Sequence, residues 1–389
     1  MNTFQSLPKN EVLPGDPAPW FQQRSIGNPN FNFNVAGGRY LVLCFFGSGA
    51  DPLGREAIAA VTAHKNLFGT GKLYFFGVST DPADEATPPL AKQSGMDLFW
   101  DFDGKVSRLY GAIPKDAAET APVPQRRFWL VLDPALRVMA KFPFTANDSG
   151  AAEAFAFIKQ LPAVDMSVGF QTHAPVLVVP NVFEPEFCKH LIAQYETHGG
   201  EESGFMRQQN GKTVSVNDHS FKRRKDYTIT DPDLIAATQA RIARRIIPEI
   251  FKVHFFKITR MERYIVCCYA AEDKAHFSAH RDNTTSGTAH RRFAVSINLN
   301  AEFEGGEVSF PEYGPRSYKP PVGGAVIFSC ALLHAVSTVT SGRRYAFLPF
   351  LYDDEAAKIR EANNKYLDDS VGKYTGASAA PAAAAAPGA

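Results

Sequence analysis

The sequence predicts a two-domain α+β chain: a layered α/β unit followed by an all-β sandwich or barrel with flanking helices. Three observations carry this. The length, 389 residues, exceeds what one hydrophobic core usually organises. Long buried-type strands alternate with helical spacing in the first half. In the second half, after about residue 258, the hydrophobic period shortens to that of many brief strands.

In the first half, "RYLVLCFFG" (39–47) is an apolar run rich in β-formers and bounded by glycines, as a fully buried strand should be. "REAIAAVTAHKNLFG" follows with helical spacing and a terminal glycine. "KLYFFGVST" is a second buried strand. "RRFWLVLDPALRVMAKF" reads as a hairpin turning at Asp133-Pro134. Residues 161–175, "LPAVDMSVGFQTHAP", lose periodicity, and the domain boundary is expected near 166. Beyond it, "PVLVVPNVF" reads as a strand. A helix carries Phe187, Leu191, Ile192 and Tyr195 on one stripe and ends at Gly199. A second helix starts at Asp231-Pro232, with an N-cap and an N1 proline, and is kinked or ended by Pro248. "RYIVCCYAA", "FAVSINLN", "GEVSFP", "GAVIFSCALLHAV" and "RRYAFLPFLY" are then short β-type segments separated by turn residues. The domains expected are 1–165, 166–372 and an Ala/Pro-rich disordered tail over 373–389.

Composition excludes several classes. A net charge of +1 gives no global attraction to nucleic acid or anionic lipid. No apolar run is long enough to span a bilayer. The N-terminal stretch "MNTFQSLPKNEVLPG" lacks a signal-peptide core, so a cytoplasmic location is expected. Five cysteines without paired spacing, Cys44, Cys188, Cys267, Cys268 and Cys330, fit reduced thiols. Cys267 and Cys268 are read as two buried thiols on opposite faces of one strand.

The segment "AHFSAHRDNTTSGTAH" (275–290) holds three of the ten histidines. His276 and His280 would share a helix face, but Phe277 stands where a zinc protease needs glutamate. The strand-rich surroundings favour the other pair: His280 and Asp282, two apart, reach one side of a strand. Such a pair opens a 2-His-1-carboxylate facial triad, and His334 is the candidate second histidine. Three metal positions then stay open, enough for a bidentate 2-oxo acid and dioxygen. The far carboxylate of that acid needs a fixed cation, and Arg343 and Arg344 follow across a turn expected at Ser341-Gly342. Alternation puts Arg343 on the opposite face to Arg344. The run "FKRRKDY" (221–227) is expected to be a solvated face, with Lys222, Arg224 and Asp226 as weaker candidates for substrate contact. His276 and His290 have no place in the triad and are expected to be local or substrate-side groups.

Two resemblances add to this reading. "CYAAEDKAHFSAHRDN", "INLNAEFEGGEVSFPEYG", "PPVGGAVIF" and "LLHAVSTVTSGRRYAF", over about 264–352, resemble the prolyl-4-hydroxylase type of iron(II)/2-oxoglutarate dioxygenase. The resemblance implies a double-stranded β-helix (jelly roll). It implies His280, Asp282 and His334 as iron ligands, Arg344 as partner of the 2-oxoglutarate C5 carboxylate, and Tyr269 in the co-substrate pocket. Asn298 stands where some members have a second 2-oxoglutarate-binding tyrosine. The implied activity hydroxylates an aliphatic C–H of an amino acid, a peptide or a small molecule, releasing succinate and CO2. Iron(II), 2-oxoglutarate and dioxygen are required, with ascorbate as accessory reductant. Asp282 favours hydroxylation, because related halogenases lack this carboxylate. The second resemblance covers most of 12–165: "LPGDPAPWF", "YLVLCFF", "FFGVSTDPAD", "FWDFDGKVSRLYGA" and "RRFWLVLDP" follow the order of thioredoxin-fold peroxiredoxins of the alkyl-hydroperoxide-reductase type. Where those have their cysteine this chain reads "FFGSGADPLGRE", and no cysteine lies between Cys44 and Cys188. Arg127, in the position of the family's peroxide-site arginine, has no thiolate to serve. The alternative reading is a thioredoxin-fold redox protein with an accessory metal domain.

Overall fold

The structure, a computed structural model, describes residues 11–115 and 125–374. The Ala/Pro tail expectation therefore falls almost wholly outside the described residues. The chain divides into two compact units, residues 1–173 with 311–314, and 174–310 with 315–389. The irregular segment read as the boundary runs up to that division.

The first unit is built on a five-stranded sheet. Strand β1 (Tyr40–Gly47) is buried at every position and lies at its centre. It runs parallel to β2 (Leu73–Ser79), which is parallel to β3 (Met96–Trp100). On the other side β1 pairs antiparallel with β4 (Phe128–Leu132), and β4 with β5 (Val138–Pro143). Both faces of the sheet are covered by apolar clusters, so its strands are continuous hydrophobic runs rather than alternating ones. This is a thioredoxin-like arrangement, with the terminal hairpin turning at Asp133-Pro134 as expected.

Helix α1 (Pro52–Ala63) follows β1. Asp51 caps it by accepting from the backbone N–H groups of Leu53 and Gly54, and Pro52 takes the first turn, where no N–H partner is needed. Asp51 also pairs with Arg127. The arginine that the peroxiredoxin resemblance left without a thiolate thus faces a capping carboxylate. Cys44 is fully buried inside β1, and burial pushes its thiol well above the usual range.

Among the described residues, the second unit is a mixed, strand-dominated body with no closed barrel. Its helices include α2 (Pro185–His198), α3 (Pro232–Arg245) and α4 (Ile247–His254). Asp231 caps α3, and Pro248 sits in the first turn of α4, so the proline read as a helix breaker marks a restart. The larger sheet contains β6 (Lys225–Thr228), β7 (Ile265–Ala270), β8 (Phe293–Asn298), β9 (Ala325–Ser329) and β10 (Ser341–Phe347). The smaller sheet contains Lys222–Arg223, His276–His280, His334–Val336, Val308–Ser309 and Ser317–Tyr318 in that spatial order. Two sheets of this kind form the jelly-roll frame.

Two local expectations need correction. Ser341-Gly342 is not a turn but the start of β10; Gly342 has φ 69°, and a Cβ there would meet the Glu302 carbonyl at 2.3 Å. The run 221–227 is solvated on one side only: Arg223 and Lys225 face solvent, and Lys222, Arg224 and Asp226 turn inward. Lys222 and Arg224 are each 4% exposed, because this segment pairs with the half-buried strand His276–His280 and with the buried β7.

Candidate metal centre

Two antiparallel strands of the smaller sheet bring the histidines together. His280 is the last residue of its strand and His334 the first of its own, and they are direct cross-strand partners. Their rings lie 4.3 Å apart. Asp282 lies two residues beyond the strand end, not within it. Its backbone N–H donates to the Cys330 carbonyl at 2.9 Å, which curls the turn back over the histidine pair. Asp282 Oδ1 is then 3.5 Å from His280 Nε2, and its Oδ2 is 3.3 Å from His334 Nε2. One ligand atom from each residue falls within 4.8 Å of the others.

The tautomers follow from the backbone. His280 Nδ1 donates to the Ser278 carbonyl at 2.8 Å, and His334 Nδ1 to the Leu332 carbonyl at 3.0 Å. A carbonyl can only accept, so each Nδ1 carries a hydrogen, which leaves each Nε2, facing Asp282, as the nitrogen available to a metal. Burial, reinforced by His280, depresses His334 to about 4. Asp282 is raised by burial, but the two histidines outweigh this and hold it below the usual carboxylate range. Neutral imidazole and ionised carboxylate are the protonation states a divalent metal requires. Phe277 stacks on His280 with ring centroids 3.5 Å apart, and Phe328 packs against His334 at 4.6 Å. These rings limit water at the histidines.

Arg344 reaches the same pocket from the larger sheet, together with Tyr269, its cross-strand partner. It is 2% exposed. Its Nε donates to Asn298 Oδ1 at 3.0 Å and its Nη2 to Ser296 Oγ at 2.7 Å. Its Nη1 is buried with no hydrogen-bond acceptor. A buried guanidinium with two N–H groups fixed and one nitrogen unpaired suits the carboxylate of a ligand, since an unmet charged donor is costly. Arg343, one residue earlier, points away and pairs with Glu272 at 2.6 Å, both half exposed. The alternation expected between the two arginines holds.

The remaining candidates sort as follows. Asn298 is buried behind Arg344, and its Nδ2 donates to the Pro320 carbonyl at 2.9 Å, so both ends of its amide are engaged. His276 bonds the Lys274 and Ser220 carbonyls, outside the triad. His290 lies 3.1 Å from Glu262 in a buried cluster with Arg291 and Arg360. All five cysteines are buried and free; Cys268 joins the main core cluster, whereas Cys267 lies toward Arg224 and Arg344. Sequence reasoning missed Ser296 and Arg263. Ser296 had a signal, since it sits two residues before Asn298 on a strand and so shares its face. Arg263 had none: it reaches the pocket from a residue with φ 65°.

Residues 264–352 match the family model of the 2OG-Fe(II) oxygenase superfamily. The matched segment is the one that carries Tyr269, His280, Asp282, His334 and Arg344, and the description of the model names iron(II) and 2-oxoglutarate. A PKHD-type hydroxylase from Psychrobacter sp. (strain PRwf-1) is 45% identical over 56 residues, 14% of this chain; the chain covers 22% of that relative's length. Similar solved structures include a viral collagen prolyl hydroxylase from Paramecium Bursaria Chlorella virus-1 (16% identity, TM-score 0.34, 46% of this chain and 96% of that one). They also include peroxidoxin BcpB from Mycobacterium tuberculosis (19% identity, TM-score 0.34, 39% of this chain and 100% of that one). Among the described residues, no helix is long and apolar enough to cross a membrane.

Proposed function

We propose that the chain is an iron(II)- and 2-oxoglutarate-dependent hydroxylase acting on an aliphatic C–H of an amino acid, a peptide or another small molecule. Succinate and CO2 are the co-products. The observation that carries this reading is one pocket lined by His280, Asp282 and His334 and also by Arg344, whose buried Nη1 has no acceptor.

In this reading His280 and His334 offer Nε2 lone pairs and Asp282 one carboxylate oxygen to iron(II). Bound there, iron supplies the oxygen-activating chemistry that amino-acid side chains lack. Arg344 takes the C5 carboxylate of 2-oxoglutarate through Nη1, while Asn298 and Ser296 fix the guanidinium plane. Tyr269 forms a wall of the co-substrate pocket, its ring 5.4 Å from the Arg344 guanidinium carbon. Phe277 and Phe328 keep the ligand histidines dry and oriented. The Nδ1–H bonds to backbone carbonyls prevent either ring from flipping out of register. Hydroxylation is favoured over halogenation because Asp282 fills the carboxylate position.

The test is succinate formation from 2-oxoglutarate by the full chain with iron(II), ascorbate and oxygen. It is paired with a mass-spectrometric search for products gaining one oxygen atom in a cell extract. Wild type should release succinate. Absence of succinate under iron-saturating conditions, with and without extract, would reject the assignment.

A further inference from the structure

The pocket has a second buried guanidinium that the proposed co-substrate contacts do not use. Arg224 lines it beside Tyr269; its guanidinium carbon is 5.5 Å from the ring centroid. Nη1 donates to the Tyr269 hydroxyl at 3.2 Å, and Nη2 to Asp226 Oδ2 at 2.7 Å and to Ser203 Oγ at 3.2 Å. Its Nε is buried without an acceptor. Arg263 lines the same pocket, 3.3 Å from the same Asp226 oxygen and over the Phe350 ring.

The charges here do not balance internally. Two guanidiniums, Arg224 and Arg263, share the single carboxylate of Asp226. Lys222 is next to them and bonds neutral oxygens, Ser203 Oγ at 2.7 Å and Gly204 O at 2.5 Å. Burial, then the neighbouring Arg224, push Lys222 well below its usual value, so even with Lys222 neutral one positive charge is in excess. Glu262 cannot absorb it, because that carboxylate is already shared by Arg291, Arg360 and His290. The co-substrate cannot absorb it either. A divalent ion with Arg344 is already balanced by Asp282 and the two carboxylates of 2-oxoglutarate. An enclosed cation with an unmet donor is costly unless an anion arrives.

We propose that Arg224, assisted by Arg263, forms a carboxylate subsite for the prime substrate, which makes that substrate an acid. This rests on the hydroxylase reading above. The carboxylate belongs to a small molecule such as a free amino acid, or to an acidic side chain of a peptide; both present the same chemistry to Arg224.

The experiment measures binding rather than turnover. The full chain is loaded with manganese(II) and 2-oxoglutarate without oxygen and titrated calorimetrically with free L-amino acids and their carboxamides. A second arm uses N-acetylated, C-amidated tripeptides with central Asp or Glu, against Asn or Gln. At least one acid should bind about tenfold or more tightly than its amide, the scale of one charge-assisted contact. Arg224→Gln should erase that preference while 2-oxoglutarate still binds, Arg224→Lys should restore part of it, and Arg263→Gln should weaken it. Preference in the first arm assigns a free acid, and in the second a peptide side chain. Equal binding of acids and amides, no binding of either, or an equal loss for both in Arg224→Gln overturns the subsite and leaves Arg224 as a brace for Tyr269. Failure of 2-oxoglutarate itself to bind the metal-loaded wild type instead counts against the hydroxylase reading.

Discussion

Replacing Arg344 tests the co-substrate pocket most directly, because the structure separates its contacts one by one. Nε and Nη2 are committed to Asn298 and Ser296, which leaves Nη1 for the ligand. One charge-assisted contact is worth about 1.5–3 kcal/mol, so Arg344→Ala should raise the Michaelis constant for 2-oxoglutarate roughly tenfold to a hundredfold. The same change strands Asn298 Oδ1 and Ser296 Oγ, at about 1–3 kcal/mol for each buried acceptor that finds no new donor. A lower melting temperature is therefore expected, and folding must be checked before the kinetics are read. Arg344→Lys keeps the charge but cannot satisfy both braces and the ligand in a planar fork, so recovery should be partial.

The controls come from the neighbours. Arg343→Ala removes an exposed ion pair to Glu272, worth about 0–1 kcal/mol, and should leave the 2-oxoglutarate constant nearly unchanged. Ser296→Ala and Asn298→Ala each remove one brace, about 0.5–1.5 kcal/mol, and should raise the constant by about two- to tenfold. The assay is succinate formation titrated against 2-oxoglutarate, with iron affinity measured in parallel. An unchanged constant in Arg344→Ala, or a larger effect in Arg343→Ala, would refute the anchoring argument.

His280→Ala and His334→Ala should each abolish iron-dependent 2-oxoglutarate turnover with circular dichroism unchanged; wild-type turnover at matched iron would sink the ligand assignment. The N-terminal unit should show no thiol peroxidase activity, because Cys44 is sealed in β1 and Asp51 takes the helix cap facing Arg127; the check is hydrogen peroxide consumption with dithiothreitol, and consumption lost in Cys44→Ser would contradict it. Glu262→Gln leaves Arg291 and Arg360 without their buried carboxylate and should cost about 3–5 kcal/mol at pH 7. Burial raises Glu262, but Arg291, His290 and Arg360 more than offset this, so its folded value lies below the usual range. Its contribution is thus fully present above the unfolded value, about 4.3, declines below it and is lost as pH falls through the lower folded value, so urea melts of wild type and variant should converge in strong acid.

What the sequence made legible depended on whether a residue's role is local. Buried strands such as "YLVLCFF" announce themselves because both faces of their sheet are covered, and Asp231-Pro232 because a helix start is decided within a few residues. The triad was legible through secondary structure: once the second half reads as strands, His276 and His280 cannot share a helix face, and His280 with Asp282 remains as the pair. Yet the strand rule was right for a partly wrong reason. Asp282 meets the histidines not by alternation along a strand but through a turn pinned to the Cys330 carbonyl, a partner 48 positions away (330 − 282). The run "FKRRKDY" failed for the converse reason. Local charge density points to solvent, and only the pairing of its segments with His276–His280 and with β7 reveals burial. The misreading bears on function. A solvated face needs no compensation, whereas Arg224 beneath Tyr269 must be matched by a charge. Asp226 is already shared with Arg263, so the cost of burying Arg224 becomes a reason to expect an acidic substrate.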